Sequence, residues 1–304
     1  MLTHRETRPT VPSQRRAERA GSSPALACAV CEGAATREAG FRDIVLYRCR
    51  RCGHCFTDVA ALDHLAEYDE AWESLHPNWF ENPNTALFEM VATTIERHKP
   101  DAAVIDVGAG RGELLDYLRR RDTRLRLTGL DISLHPEIDG VEFVSGDFVQ
   151  IDFGARRWDI VVSLATIEHV ADVRMFARRL HDLLEPGGLA IVMTVDDQSI
   201  LYAVARLLNR VGYRTAFERL YDRFHLNHFT SGSLRTLLEN EGFETVAHHH
   251  HNIPIRSVDM PNESTLSRAG VWGTFVLGRL TGRTYEQTIV SRARWINPAL
   301  RPRG

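Results

Sequence analysis

From about residue 101, short apolar runs alternate with segments whose apolar residues recur at helical spacing. Ala102–Val107, Leu125–Leu130 and Val141–Val144 read as strands, and Gly112–Arg121 as a helix. Trp158–Leu164 is apolar almost throughout, as suits a strand buried on both faces. Met175–Leu184 reads as a helix stopped by Pro186-Gly187-Gly188, and Leu189–Thr194 as a fifth strand. This β-α-β-α order predicts an α/β fold with a Rossmann-like, doubly wound, mostly parallel sheet. The rhythm then changes. Ser199–Leu220 reads as one or two helices inserted before the next regular element. Ser231–Glu241 is a helix with Thr230/Ser231 at its N-cap and Gly242 just past its end. Phe243–Ala247 is a short strand, and His248–His251 a solvent-facing polar turn at its end. Residues 252–283 carry no clear period, and Glu286–Trp295 suits a final strand. Upstream, 58–100 is helical in two pieces broken near Pro77 and Pro83, and Phe41–Arg48 resembles one short strand.

Composition adds limits. The hydrophobic fraction of 43% is that of an ordinary globular chain, and 304 residues suffice for one substantial domain plus a small one. No apolar run is long enough to predict a transmembrane helix. Met1–Ala20 has five arginines and no apolar core, so a disordered tail over 1–24 is expected rather than a secretory signal. Residues 296–304 form a second tail, and a cytoplasmic location is expected. The net charge of −3 argues against a chain dominated by nucleic-acid binding.

The chemistry starts at Val104-Ile105-Asp106-Val107-Gly108-Ala109-Gly110-Arg111-Gly112-Glu113. A strand runs into an acid, then into glycines at alternate positions, then into a helix. Such a turn lets backbone approach a ligand closely, beside the positive end of the helix. The dinucleotide fingerprint G-x-G-x-x-G would need a glycine where Glu113 stands. A phosphate loop is absent too, and Asp106 would repel phosphate. The acid suits a ligand with a cationic amino-acid end. Asp131, closing the second strand, can accept both hydroxyls of a ribose. Asp147 can accept from an adenine amino group while Phe148 flanks the ring.

Taken together, VIDVGAGRGELL, TGLDIS, SGDF, WDIVVSLATIEHV, LLEPGGLAIVMT and HLNHFTSGSLRTLLENEGFETV resemble the class I S-adenosylmethionine (SAM)-dependent methyltransferases. The pieces occur in that family's order over roughly residues 100–250. The resemblance implies that Asp106, Gly108, Ala109 and Gly110 hold the methionine end of SAM. Asp131 and Ile132 would take the ribose and adenine edge, Asp147 and Phe148 the adenine, and Leu164 and Ala165 would offer backbone near the amino group. His169 and His225 are the candidate bases; of His225 and His228, one would touch substrate while the other packs structurally. Quinone-precursor methyltransferases bind a divalent metal with an acid three residues before their Glu-His pair. Ala165 stands there in this chain, which argues against an active-site metal.

All five cysteines lie between Cys28 and Cys55. Cys28-x-x-Cys31 and Cys49-x-x-Cys52 have the spacing of a structural four-cysteine zinc site, leaving Cys55 as a core thiol or substitute ligand and His54 as a weaker substitute. The expected organisation is a zinc-ribbon module at 25–57, a helical linker or cap at 58–100, and a SAM-binding domain at 101–295. A helical insert at 196–230 would cover the acceptor with help from Tyr68, Trp72, Trp79 and Phe80. Tyr47-Arg48-Cys49, Gly53-His54 and Phe56-Thr57-Asp58 resemble the ribbon of bacterial methyltransferases acting on sugars, lipids or secondary metabolites. A small-molecule acceptor is therefore the first reading. An RNA methyltransferase with a zinc module and a SAM-binding scaffold without catalysis are the alternatives. Oligomeric state is not legible.

Overall fold

The computed structural model describes residues 26–62, 76–133, 137–259 and 265–294. Both expected tails, Tyr68 and Trp72 lie outside these. Among the described residues the strands form two sheets.

The larger sheet holds β5 (Ala103–Val107), β6 (Arg126–Asp131), β7 (Val141–Ser145), β8 (Trp158–Leu164), β9 (Leu184–Val195), β11 (Phe243–His251) and β12 (Glu286–Ala293). Its order is β11-β12-β9-β8-β5-β6-β7. The run from β7 to β9 is parallel, and β12 enters antiparallel to both β9 and β11. The doubly wound, mostly parallel expectation therefore holds.

Alternation within β5 divides the core. Val104 packs with Leu87, Val91 and Ile95 of α2 (Thr85–His98) and with Leu114, Leu115 and Leu118 of α3 (Glu113–Arg121). Ile105 and Val107 face the other side, toward Phe176 and Leu180 of α4 (Val173–Asp182) and Leu234 and Leu237 of α7 (Ser231–Asn240). Thr230 caps α7, as the sequence predicts, and does so in a capping box with Ser233.

The N-terminal strands β1 (Leu26–Ala27), β2 (Ala34–Phe41), β3 (Ile44–Cys49) and β4 (Cys55–Thr57) form the second sheet. It is completed by β10 (Asn227–His228), which pairs antiparallel to β4. The ribbon thus closes on a strand some 170 residues away. On β3, Ile44 and Leu46 pack with Tyr202, Phe217 and Tyr221. These belong to or follow the insert helices α5 (Ile200–Arg210) and α6 (Thr215–Leu220). Tyr47 and Cys49 face the core on the larger sheet instead. A boundary at residue 57 divides the chain but not the packing.

Three local expectations are corrected, and one unread segment acquires structure. Phe41–Arg48 is not one strand from end to end: Phe41 closes β2, the hairpin turns at Arg42 (φ +52°) and Asp43, and Ile44–Arg48 belong to β3. Helix α4 stops at Asp182 because the carbonyl of Leu183 accepts Trp158 N–H at 2.8 Å and Leu184 pairs with Trp158 in the sheet. The histidine run is no turn: His248–His251 extends β11 and pairs with Glu286–Ile289. Within 252–283 the chain forms α8 (Thr265–Thr281).

Candidate functional site

The carboxyl ends of β5, β6, β7 and β8 surround a cavity of about 900 Å³. That volume lies in the range of small-molecule sites. Every residue expected to hold the donor lines it: Asp106, Gly108, Ala109, Gly110, Asp131, Ile132, Asp147, Phe148, Leu164 and Ala165.

The glycine turn is built from the backbone outward. Gly108 and Ala109 N–H groups both donate to the carbonyl of Leu130, at 2.8 and 3.0 Å, fixing the turn to β6. At Gly108, φ is +79° and a Cβ would sit 2.2 Å from Thr166 Oγ1. Gly110 also has positive φ, +54°, but a Cβ there meets no atom within 4 Å because the residue faces the cavity. The first glycine is thus required by a close approach and the second by backbone conformation.

Two carboxylates organise the next turns. Asp131 accepts Gly110 N–H on Oδ2 and Ser133 N–H on Oδ1, both at 2.9 Å, and so joins the glycine turn to its own loop. Asp147 accepts from Val149 N–H at 2.9 Å and Gln150 Nε2 at 2.8 Å. Phe148 is fixed edge-on against Phe176, ring centroids 5.1 Å apart. Asp106 differs. It is buried, its Oδ1 has no hydrogen-bond partner, and burial with repulsion from Asp131 and Glu113 pushes its pKa up to about 8. A buried acid without a partner is costly unless a ligand satisfies it.

On the opposite side, Ala165 sits at φ +52° and its N–H donates to the carbonyl of Met193 at 3.1 Å. Left-handed backbone at a non-glycine residue stores strain of a kind that clusters at functional sites. Four residues on, His169 lines the cavity, and its Nδ1 lies 2.8 Å from the carbonyl of Phe224. A carbonyl only accepts, so Nδ1 carries the proton and Nε2 is the basic nitrogen. Burial, then the neighbouring His225, holds the pKa of His169 well below the usual imidazole value. The ring is therefore neutral at neutral pH. His225, the other candidate, does not line the cavity, although Phe224 and Leu226 on either side do. Its ring lies 4.8 Å from that of His169. His228 is fully buried against Tyr202 and Tyr221. Glu168 is buried, accepts from Thr194 Oγ1 at 2.8 Å, and is pushed up to about 7 by burial. Ligand atoms of Glu168, His169 and His225 lie within 4.8 Å of one another despite Ala165.

The outer wall combines Trp79, Phe80, Asn82 and Asn84, at and after α1 (Pro77–Glu81), with Ile253 and Ser257. Trp79 and Phe80 stand where the sequence suggested. Ile253 and Ser257 were not foreseen, because their segment has no periodic signal. Ser257 Oγ donates to the carbonyl of Asn82 at 2.6 Å and ties the two segments together.

In the ribbon, the sulfurs of Cys28 and Cys52 are 3.7 Å apart and those of Cys31 and Cys49 3.5 Å. All four lie within 4.8 Å of one another. Metal–sulfur bonds of about 2.3 Å in a tetrahedron put sulfurs about 3.8 Å apart, so the donor set fits one tetrahedral metal ion. A Cβ on Gly33 would come within 3.2 Å of both Cys31 and Cys49 sulfurs, which explains the glycine. Cys55 is a core thiol, packed with Ile44, Leu46 and Tyr202. His54 is no ligand either: its ring stacks on Phe56 and its Nε2 lies 3.2 Å from Asn227 Oδ1.

The ribbon is clamped to the insert by charge. Buried Asp197 accepts from Arg48 at 2.6 Å, Arg206 at 3.1 Å and the Tyr221 hydroxyl at 2.5 Å. Thr230 Oγ1, which caps α7, also donates to the carbonyl of Cys52 at 3.1 Å.

Known proteins resemble this arrangement. The chain is 29% identical over 161 residues to a ubiquinone biosynthesis O-methyltransferase of Ruegeria pomeroyi, covering 50% of this chain and 63% of that protein. It is 28% identical over 127 residues to a malonyl-[acyl-carrier protein] O-methyltransferase of Chlorobium luteolum, covering 38% and 48% respectively. The match therefore spans less than two thirds of these relatives' lengths. A solved structure assigned as a sarcosine dimethylglycine methyltransferase of Galdieria sulphuraria superposes with a TM-score of 0.51 at 15% identity. It covers 74% of this chain and 99% of that one, and it shows likeness of fold. Residues 79–248, more than half of the chain, match the family described as methyltransferase domain, and the protein belongs to that family.

Proposed function

We propose that the protein is a SAM-dependent methyltransferase acting on an oxygen of a small-molecule acceptor. The observation that carries this is the cavity's division into two walls. One wall bears Asp106, Gly108, Gly110, Asp131 and Asp147 at the sheet's carboxyl edge. The other bears aromatic residues and a neutral, half-buried His169.

In this reading the unpartnered Asp106 receives the ammonium of SAM, and the open face of Gly110 accepts its methionine backbone. Asp131 has lone pairs left after its two backbone bonds and takes the ribose hydroxyls. Asp147 and Phe148 border the adenine, with Ile132 at the lip. Leu164 and Ala165 flank the amino group. The bound sulfonium supplies an electrophilic methyl group. Positioning the acceptor in line with that methyl group contributes much of the rate. His169 Nε2 takes the proton from the acceptor hydroxyl as the new bond forms, and His225 packs behind His169 as a positioning residue. The O-methyltransferase names of the relatives support an oxygen acceptor. Cys28, Cys31, Cys49 and Cys52 hold a structural zinc ion.

Calorimetry with S-adenosylhomocysteine, followed by transfer of labelled methyl from SAM to a panel of phenols, sugars and carboxylates, tests this. Micromolar binding and a labelled product are expected. Absent binding by metal-loaded protein would instead favour the scaffold reading. Methylation of RNA, with salt-sensitive RNA affinity, would favour the nucleic-acid reading.

A further inference from the structure

Two helices outside the site turn apolar side chains to solvent. Leu207, Val211 and Tyr213, on and just after α5, and Leu266, Trp272 and Leu280 on α8 are each between 59 and 82% exposed. Helix α8 buries little: of its 17 residues only Phe275 and Gly278 are fully covered. The covered or half-covered residues Val271, Thr274, Phe275 and Gly278 recur at helical spacing and leave Leu266, Trp272, Val276 and Leu280 outward. Helix α5 packs beside α8, and the N–H of Ile200 donates to the carbonyl of Arg283 at 3.1 Å, so the two exposed faces adjoin.

The charge on these segments is one-sided. Residues 198–217 and 264–285 contain no Asp or Glu, in a chain that has 40 of them. Arg210, Arg214 and Arg279 are exposed beside the apolar side chains. Neither helix crosses a bilayer, since among the described residues none is long and apolar enough. Apolar side chains that include a tryptophan, flanked by arginines and without acids, suit an anionic membrane surface. A second copy of the chain fits less well, because the same patch on the copy has no acid to meet these arginines.

We propose that the exposed face formed by α5 and α8 docks the protein peripherally on an anionic lipid bilayer. The patch lies close to the acceptor wall. Helix α8 packs on residues 255–257, and Asn252 Nδ2 donates to the carbonyl of Phe275 at 3.1 Å just before Ile253 enters the cavity lining. The docking stands on exposure and charge alone and does not depend on the methyl-transfer reading.

The test is cosedimentation of the full, zinc-loaded chain with phosphatidylcholine vesicles, with and without phosphatidylglycerol. Binding to the anionic vesicles that weakens with salt is expected. The double variant Leu207→Glu/Trp272→Glu should lose about tenfold or more in partitioning while keeping its circular dichroism spectrum and its affinity for S-adenosylhomocysteine. Three results would overturn the proposal: no sedimentation with vesicles, binding that ignores vesicle charge or both substitutions, or a solution dimer that the same variant dissociates in the ultracentrifuge.

Discussion

Replacing Asp106 by Asn separates what this residue does for the fold from what it does for the ligand. In the ligand-free protein the carboxyl has a pKa of about 8, against 3.8 for an unperturbed Asp, because it is buried near Asp131 and Glu113. A folded-state pKa above the unfolded one gives a contribution that is complete below the unfolded value. That contribution is lost as pH rises toward the folded value. Each pH unit in that window costs about 1.4 kcal/mol until the folded group itself titrates. Between pH 6 and 8 the wild type should therefore lose about 2 kcal/mol relative to Asp106→Asn, measured by urea unfolding without ligand. Binding should behave oppositely. The ammonium of S-adenosylhomocysteine needs the carboxylate, so near pH 7 the wild type releases a proton as it binds. Titration calorimetry in two buffers of different ionisation enthalpy reads that release directly. At pH 8 the variant should bind more weakly by about 1.5–3 kcal/mol, the worth of a hydrogen bond to a charged group. At pH 6 the gap should narrow, because the wild type must first give up its proton. A stability difference that is flat with pH, or binding without proton release, would refute the assignment of Asp106.

Other residues make independent predictions. Asp131→Ala should weaken S-adenosylhomocysteine binding by about 1–3 kcal/mol, and an unchanged dissociation constant would displace the ribose from this carboxylate. Asp197→Ala leaves Arg48, Arg206 and the Tyr221 hydroxyl without their shared acceptor, so urea unfolding should show a loss of about 3–5 kcal/mol. A loss under 1 kcal/mol would mean that Asp197 does not hold the ribbon to the insert. Chelation should remove one zinc ion per chain and raise amide exchange first in β1–β4 and then in Asn227–His228, since β10 completes that sheet. Exchange confined to the ribbon would show that β10 keeps its place without it.

Much of the site was legible because its chemistry is local in sequence. The glycine turn, Asp131 and Asp147 each occupy the few residues where a parallel strand meets the next turn, and apolar runs mark those ends well. The acceptor side was less legible. Ile253 and Ser257 belong to a segment without periodicity, and which of His169 and His225 reaches the cavity is set by how the 223–226 loop packs on His169. His248–His251 looked like a turn because histidine is polar. Pairing with β12 decided otherwise, with His248 Nε2 at 3.2 Å from Gln287 Oε1 and His251 Nε2 at 2.7 Å from Thr288 Oγ1.

By itself the sequence determined the doubly wound sheet, the glycine turn with the carboxylates that end the neighbouring strands, and the four-cysteine cluster. Each is encoded by residue spacing within a short stretch, where geometry follows from the chain's own period. Only the tertiary structure decided how these parts join. Asn227–His228 completes the ribbon's sheet, Asp197 holds Arg48 across 149 residues, and α5 meets α8 to leave an apolar, basic face. Such contacts pair residues far apart in the chain, and their partners are selected by packing and charge in three dimensions, which no local pattern records.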